Sequence, residues 1–206
     1  MEIKWLGHSC FKITHEGYSI VLDPYYPDMI PGLGALDLKA NQVLCSHQHD
    51  DHNYVKAVQL ETTAKPNPFI IERIRSFHDA FQGAKRGINF LSVLSASGFR
   101  IAHLGDLGCE LTKEQTRKLQ GLDALLVPVG GHFTIGPEEA KRLCDQIQPK
   151  IIIPMHFRSK NVGFSALETV DAFTKLFPDT KIIQYATNLI KIDAEQVKQI
   201  ALLRFK

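Results

Sequence analysis

The chain lacks most of the features that would tie it to a membrane, to nucleic acid or to an oxidising compartment. Its 206 residues contain no apolar run approaching the ~20 residues a bilayer span requires. Net charge is only +2, and no block of Lys or Arg stands out. That argues against a dedicated nucleic-acid surface and leaves room for a small anionic substrate. Cysteine is scarce. Cys10, Cys45, Cys109 and Cys144 are scattered and form no CxxC pair, which reads as small buried or partly buried thiols in a reducing cytoplasm. No signal peptide is evident, because Met1-Glu2-Ile3-Lys4 opens directly into a strand-like pattern. A cytoplasmic location is therefore expected. There is no repeat period, low-complexity tract or linker, so residues 1–206 read as one domain.

What is present is an ordinary globular composition, 44% hydrophobic and 22% charged, long enough to bury a real core. Alternating patterns predict strands over Glu2–Leu6, Cys10–Thr14 and Tyr18–Leu22, then a Pro/Gly-rich loop over 24–37. A short apolar strand follows at Gln42–Cys45. Asn53–Leu60 reads as a short helix broken by Lys65-Pro66-Asn67-Pro68. Phe69–Phe77 reads as one or two strands, and 79–89 as a loop. Strands are expected at Phe90–Ala96, Phe99–Leu104, Ala124–Val129 and Ile151–Met155. Thr112 should cap a helix to Leu119, and Pro137 should open another that Pro149 stops. Ser165–Leu176 reads as an amphipathic helix, and Lys181–Tyr185 and Leu189–Ile192 as late strands. Glu195–Phe205 fits either a short helix or a last strand.

One stretch dominates. His47 to His52 packs three histidines and two aspartates into six residues, in the pattern His-x-His-x-Asp-His. Zinc-type cations take neutral imidazole nitrogens and carboxylate oxygens at about 2.0–2.2 Å. In extended backbone His47 and His49 would point the same way, while the adjacent Asp51 and His52 would project differently. The run therefore suits two metals better than one. A solvated polar loop is the bland alternative, but five ionisable groups this close destabilise the fold unless something binds them. Three further candidates each follow an expected strand: His78, Asp106 and His156. Rigid strand ends are where sites in layered α/β folds are built. Each residue has a bland reading alone, as loop residue, cap or core histidine. Together they do not.

These residues carry a resemblance. The cluster at 47–52, followed by His78, Gly105-Asp106 and His156, is similar to the ordered ligand set of the metallo-β-lactamase superfamily. Leu6-Gly7-His8-Ser9, Leu22-Asp23-Pro24, Phe77-His78-Asp79, Arg86-Gly87, Pro128 to Pro137 and Pro154-Met155-His156-Phe157 extend it over nearly the whole chain. They resemble the small single-domain branch that includes ascorbate-6-phosphate lactonase-like proteins. The resemblance implies an α/β fold, a four-layer αββα sandwich with metals at one edge of two sheets. It implies two divalent ions, zinc first, with manganese, nickel or iron as alternatives. His47, His49 and His78 would hold one, Asp51, His52 and His156 the other, and Asp106 would bridge them.

The function so implied is metal-dependent hydrolysis of a small ester, lactone or phosphoester by a bridging hydroxide. Asp51, Asp106 and His132 are the candidate catalytic residues. His132 follows a buried strand and is expected beside the metals, to bind substrate, stabilise an oxyanion or move a proton. Asp23 is the expected partner of a ligating histidine. Asp50 serves that part or caps a helix. His8 belongs near the metals or is a turn histidine. His103 should be buried and packed, and His15 a surface residue. Arg86 and Arg158 are candidate anion contacts, and Tyr25 and Tyr26 candidate walls over the site. Self-association into a homo-oligomer is common in this branch. Two rival readings stand: an iron-dependent redox enzyme on the same fold, and a non-catalytic metal-binding protein.

Overall fold

Alternation in the first 22 residues produces three antiparallel strands in succession, and the rest of the chain builds two stacked sheets around them. The computed structural model describes residues 1–62 and 66–205. The elements run β1 (Glu2–Gly7), β2 (Cys10–His15), β3 (Tyr18–Leu22), β4 (Leu38–Ala40), β5 (Gln42–Leu44), a 3-10 turn (Val55–Ala57), β6 (Val58–Leu60), β7 (Ile70–Phe77), β8 (Ile88–Ala96) and β9 (Phe99–His103). They continue α1 (Lys113–Lys118), β10 (Ala124–Pro128), α2 (Pro137–Ile147), β11 (Ile151–Met155), α3 (Val170–Thr174), β12 (Ile182–Gln184), β13 (Leu189–Lys191) and β14 (Gln199–Leu202).

A five-stranded sheet, β13-β1-β2-β3-β5, faces a seven-stranded one, β12-β14-β11-β10-β9-β8-β7. Between them lies a dry core in which Ile3, Phe11, Ile13 and Ile20 meet Leu94, Ile101, Leu126 and Ile153. Burial at about 25 cal/mol per Å² of apolar surface makes this interface the main adhesive of the fold. On the far face of the larger sheet, Leu143, Ile147, Phe173 and Phe177 pack against Val93, Leu125, Val127 and Ile152, bringing α2 and α3 onto the strands. β10, flanked on both faces, is buried throughout (Ala124–Pro128), as expected for a central parallel strand.

The layers follow the expected order, but the outermost layer over the smaller sheet is not a long helix. There Tyr25, Ile30 and Leu33 of the Pro/Gly-rich loop pack with Cys10, Val21, Ala40 and Val58. The two-stranded parallel ribbon β4-β6 completes this layer.

Two expectations need correction, and one left open is resolved. The helix over Asn53–Leu60 is a 3-10 turn followed by β6. Tyr54 N–H is taken by Pro24 C=O at 2.7 Å, no side chain caps the turn, and pairing with β4 claims the β-branched Val58. Within the break proposed after it, Lys65 lies outside the described residues. The helix over Ser165–Leu176 contracts to Val170–Thr174, because Glu168 N–H bonds to Gly130 C=O at 2.8 Å and Thr169 bridges Arg158. The ambiguous C-terminal stretch is a strand, β14, parallel to both β11 and β12. The capped helix at 112 forms as expected: Gln115 N–H donates to Thr112 Oγ1 at 3.2 Å and Thr112 N–H to Gln115 Oε1 at 2.7 Å.

Register decides where the site can be. β9, β10 and β11 are parallel, and β7 reaches β9 through the antiparallel β8, so β7 runs with them. β3 and β5 are parallel in the other sheet. The residues after these strands therefore emerge where strand direction gathers them: Asp23, Ser46 to His52, His78, Asp106 and His156.

Candidate metal centre

The loop after β5 is fastened first. Asp23, directly after β3, accepts Ser46 N–H and Ser46 O–H, both at 2.6 Å, and lies 2.8 Å from His52 Nδ1. His52 Nδ1–H thus points at a carboxylate and its Nε2 faces inward. Ser46 Oγ also lies 2.9 Å from His47 Nδ1. Its one proton goes to Asp23, so His47 Nδ1–H must donate to Ser46 Oγ, leaving His47 Nε2 with a free lone pair. The cluster itself is turned rather than extended, with His52 N–H on His49 C=O at 2.9 Å. The expectation that alternation along an extended strand aims His47 and His49 alike is therefore wrong in its reason. The turn brings their rings together, 4.6 Å apart and edge-on.

Asp106 is positioned by Asn89, whose Oδ1 accepts Asp106 N–H at 3.0 Å while its amide donates to Ser76 Oγ and Leu104 C=O. Gly105 sits at φ +54°, and a Cβ there would lie 2.4 Å from both Asn89 Oδ1 and Ser46 Cβ. Only glycine lets the cluster loop close on the Asp106 loop. A Cβ on Gly130 would likewise strike His156 C=O at 2.1 Å. His8, Asp23 and His156 all adopt positive φ, 51°, 48° and 52°. Such conformations concentrate where a fold over-determines a functional geometry.

Asp106 Oδ2 stands at the centre. It lies 3.1 Å from His52 Nε2, 3.2 Å from His156 Nε2 and 3.4 Å from His78 Nε2. Around it, three groups of side chains bring one ligand atom each within 4.8 Å of one another: His47, His49 and His78; His47, His52 and Asp106; and His8, Asp51, His52 and His156. Seven expected ligands are gathered here, and His8 joins them.

Electrostatics favours a cation. Burial pushes His47 down to about 3 and His78 to about 4, keeping both imidazoles neutral at neutral pH. Burial would raise the Asp51 and Asp106 carboxyls, but the histidines beside them outweigh it and hold both below the usual carboxylate range. Burial also opposes charge on His52, yet Asp106 and Asp51 raise it well above an ordinary imidazole. Several inward atoms have no hydrogen-bond partner among the described residues: His47 Nε2, His52 Nε2, His78 Nδ1, Asp106 Oδ1 and both nitrogens of His156. Buried polar atoms are almost always paired, so this many orphans in one place fit ligands for divalent metal.

A cavity of about 480 Å³ opens over the cluster, lined by His49, Asp51, His78 and Asp106 with Met29, Arg86, Phe133 and Phe164. Asp79 clamps the loop that carries Arg86, accepting N–H from Phe81 at 2.7 Å, Gly83 and Lys85 at 3.0 Å, and Arg86 at 2.7 Å. Burial would push the Asp79 carboxyl up, but these four donors hold it down to about 2. The Arg86 guanidinium lies over the Phe133 ring at 5.6 Å.

Other sequence candidates fall elsewhere. His132 is exposed, its ring edge-on to Phe133 at 4.5 Å, and it is Phe133 that faces the cavity. Arg158 spends its Nε–H on Leu167 C=O at 2.7 Å. Tyr25 is buried, with its hydroxyl on Leu6 C=O, while Tyr26 is exposed and packs against the Tyr54 ring at a tilt of 45°. Neither forms the wall expected of it, and Met29 is the member of that loop that lines the cavity. Asp50 is exposed and lines the cavity, and its C=O receives Tyr26 N–H. His103 is buried as expected, 2.8 Å from Ser9 C=O. His15 is not a surface residue: its side chain is 11% exposed and packs near Phe69 and Phe99. Asn89 and Phe164 carry no signal in the sequence that would have marked them.

The model of the beta-lactamase superfamily domain matches residues 2–156. The chain belongs to the beta-lactamase superfamily. A Thermotoga maritima protein named as a Zn-dependent hydrolase of the metallo-beta-lactamase superfamily shares 34% identity, with 100% of this chain and 99% of that one covered and a TM-score of 0.74. A metal-dependent hydrolase of Staphylothermus marinus is 28% identical over 76% of this chain and 83% of its own. One from Natranaerobius thermophilus is 24% identical over 77% and 84%. The layered α/β fold is that of the matched metallo-beta-lactamase superfamily structure, with a loop and ribbon in place of helix on one outer face, and no helix among the described residues is long and apolar enough to cross a membrane.

Proposed function

We propose that this chain is a metal-dependent hydrolase that uses two divalent ions to cleave a small ester, lactone or phosphoester. The observation that carries the reading is Asp106 Oδ2, one oxygen within 3.4 Å of His78 on one side and of His52 and His156 on the other. His47, His49 and His78 would hold one ion, and Asp51, His52 and His156 the second, with Asp106 shared. Zinc suits this donor set best, with manganese, nickel and iron as alternatives. When bound, the two ions would polarise the substrate oxygen and supply a hydroxide nucleophile by acidifying water between them.

The chain's own groups do the rest. Asp23 fixes the His52 tautomer, and Ser46 that of His47. Asp51, 15% exposed at its side chain and lining the cavity, would hold its ion where a bound substrate reaches it. Phe133 and Phe164 shield the reacting group from bulk water. His132 is left with a role beside the rim. Arg86 faces the cavity with no salt bridge to a described carboxylate, so it would select substrates bearing an anionic group.

The test is metal analysis of protein purified without added metal, followed by a panel of esters, lactones and phosphoesters. Asp106→Ala and His156→Ala should lose turnover to background and loosen metal. Full activity with full metal content in either variant would sink the proposal.

A further inference from the structure

We infer that His8 is a direct metal ligand in the buried half of the cluster, a further protein ligand beside Asp51, His52, His156 and the shared Asp106. The inference rests on the two-ion reading above. His8 occupies the turn between β1 and β2, far in sequence from every other ligand. Its side chain is wholly buried, and it sits at φ 51°. Two bonds hold the turn there: Trp5 Nε1–H donates to His8 C=O at 2.9 Å, and His156 N–H reaches the same oxygen at 3.4 Å.

A turn histidine kept for its own backbone would satisfy its ring. This one does not: neither His8 Nδ1 nor Nε2 has a hydrogen-bond partner among the described residues. Leaving buried donors and acceptors unmet destabilises a fold. The ring is instead packed into the cluster, 4.1 Å from the His156 ring and 5.3 Å from that of His52. His8 Nε2 lies 3.4 Å from Asp51 Oδ2. Atoms bound to one ion at about 2.0–2.2 Å stand roughly 3–3.5 Å apart, which is this spacing.

With His8 bound, this half would be held by more protein groups than the three-imidazole side, which meets the cavity through His49 and His78.

Titration of the metal-free protein with Co²⁺, followed by visible absorption and calorimetry, tests this. Wild type should bind two equivalents. His8→Ala should bind one as wild type does and the other at least about a hundredfold more weakly, with an altered spectrum for that equivalent. His8→Gln keeps much of the volume and a polar side chain but is a poor ligand, and should behave like the alanine variant. It also keeps the test open if the alanine variant fails to fold. Wild-type affinity and spectrum for both equivalents in either variant would overturn direct ligation. A wild type that binds fewer than two ions would instead overturn the two-ion reading, and this inference with it.

Discussion

His49 is exposed and His52 has no exposed surface, yet they stand three residues apart on one loop. They stand for two differently built halves of the same cluster. The buried half, His8, Asp51, His52 and His156, lies among rigid elements and includes a ring bonded directly to the Asp23 carboxylate. The open half, His47, His49 and His78, is all imidazole and reaches the cavity through His49 and His78, whereas the other half reaches it through Asp51. Its connection to Asp23 is relayed through one hydroxyl, Ser46 Oγ. The difference separates holding from exchanging. A site that must bind and release substrate needs one side accessible, and it can be accessible only if the other side is fixed independently.

The comparison breaks most severely at Asp23, which supports both halves. Asp23→Ala removes the acceptor of His52 Nδ1–H and the anchor of Ser46, so it should cut metal affinity by about 10–100-fold and lower turnover with it. Equilibrium dialysis with zinc measures this. Unchanged affinity would mean that the strand ends alone fix the rings. Ser46→Ala sharpens the comparison, since it spares the Asp23–His52 bond and frees only His47. Its loss should fall near the low end, about tenfold, and confined to one of two equivalents. Equal loss at both equivalents would show that the halves are not separately held.

How much of this was legible in the sequence follows from range. The His47–His52 motif is local, and residue chemistry alone marks it. His78, Asp106 and His156 were visible because each follows a stretch that reads as a strand. The central strands and the helices at 112 and 137 carried strong local signals, a capping box in one and Pro at the first turn of the other. What failed was decided by distant partners. Val58–Leu60 is a strand because β4 offers it an edge, and 165–169 is drawn out of helix by Gly130 and Arg158. The place of His8 depends on β1 and β2 delivering a turn beside His156. The substitution of Phe133 for His132 at the cavity turns on one left-handed residue, His132 at φ 58°, that no spacing announces.

The smallest expected effect lies in the loop behind the open half. Asp79 has a folded-state pKa of about 2, against an ordinary 3.8, because four backbone N–H groups favour its charged form over the cost of burial. A depressed carboxyl contributes stability that is fully present above its unfolded value and is lost as pH falls through its folded one. The loop over residues 79–87 should therefore loosen between about pH 3.8 and 2, and not nearer neutrality. Amide exchange at Phe81, Gly83, Lys85 and Arg86 in the metal-free protein reads this directly. Asp79→Asn should show fast exchange at those amides at every pH, because a neutral amide oxygen accepts more weakly and Asn offers only one. If the exchange of these four amides is as slow in the variant as in wild type, Arg86 is held by something other than the Asp79 clamp. The open half would then owe its shape to the strand end at His78 alone.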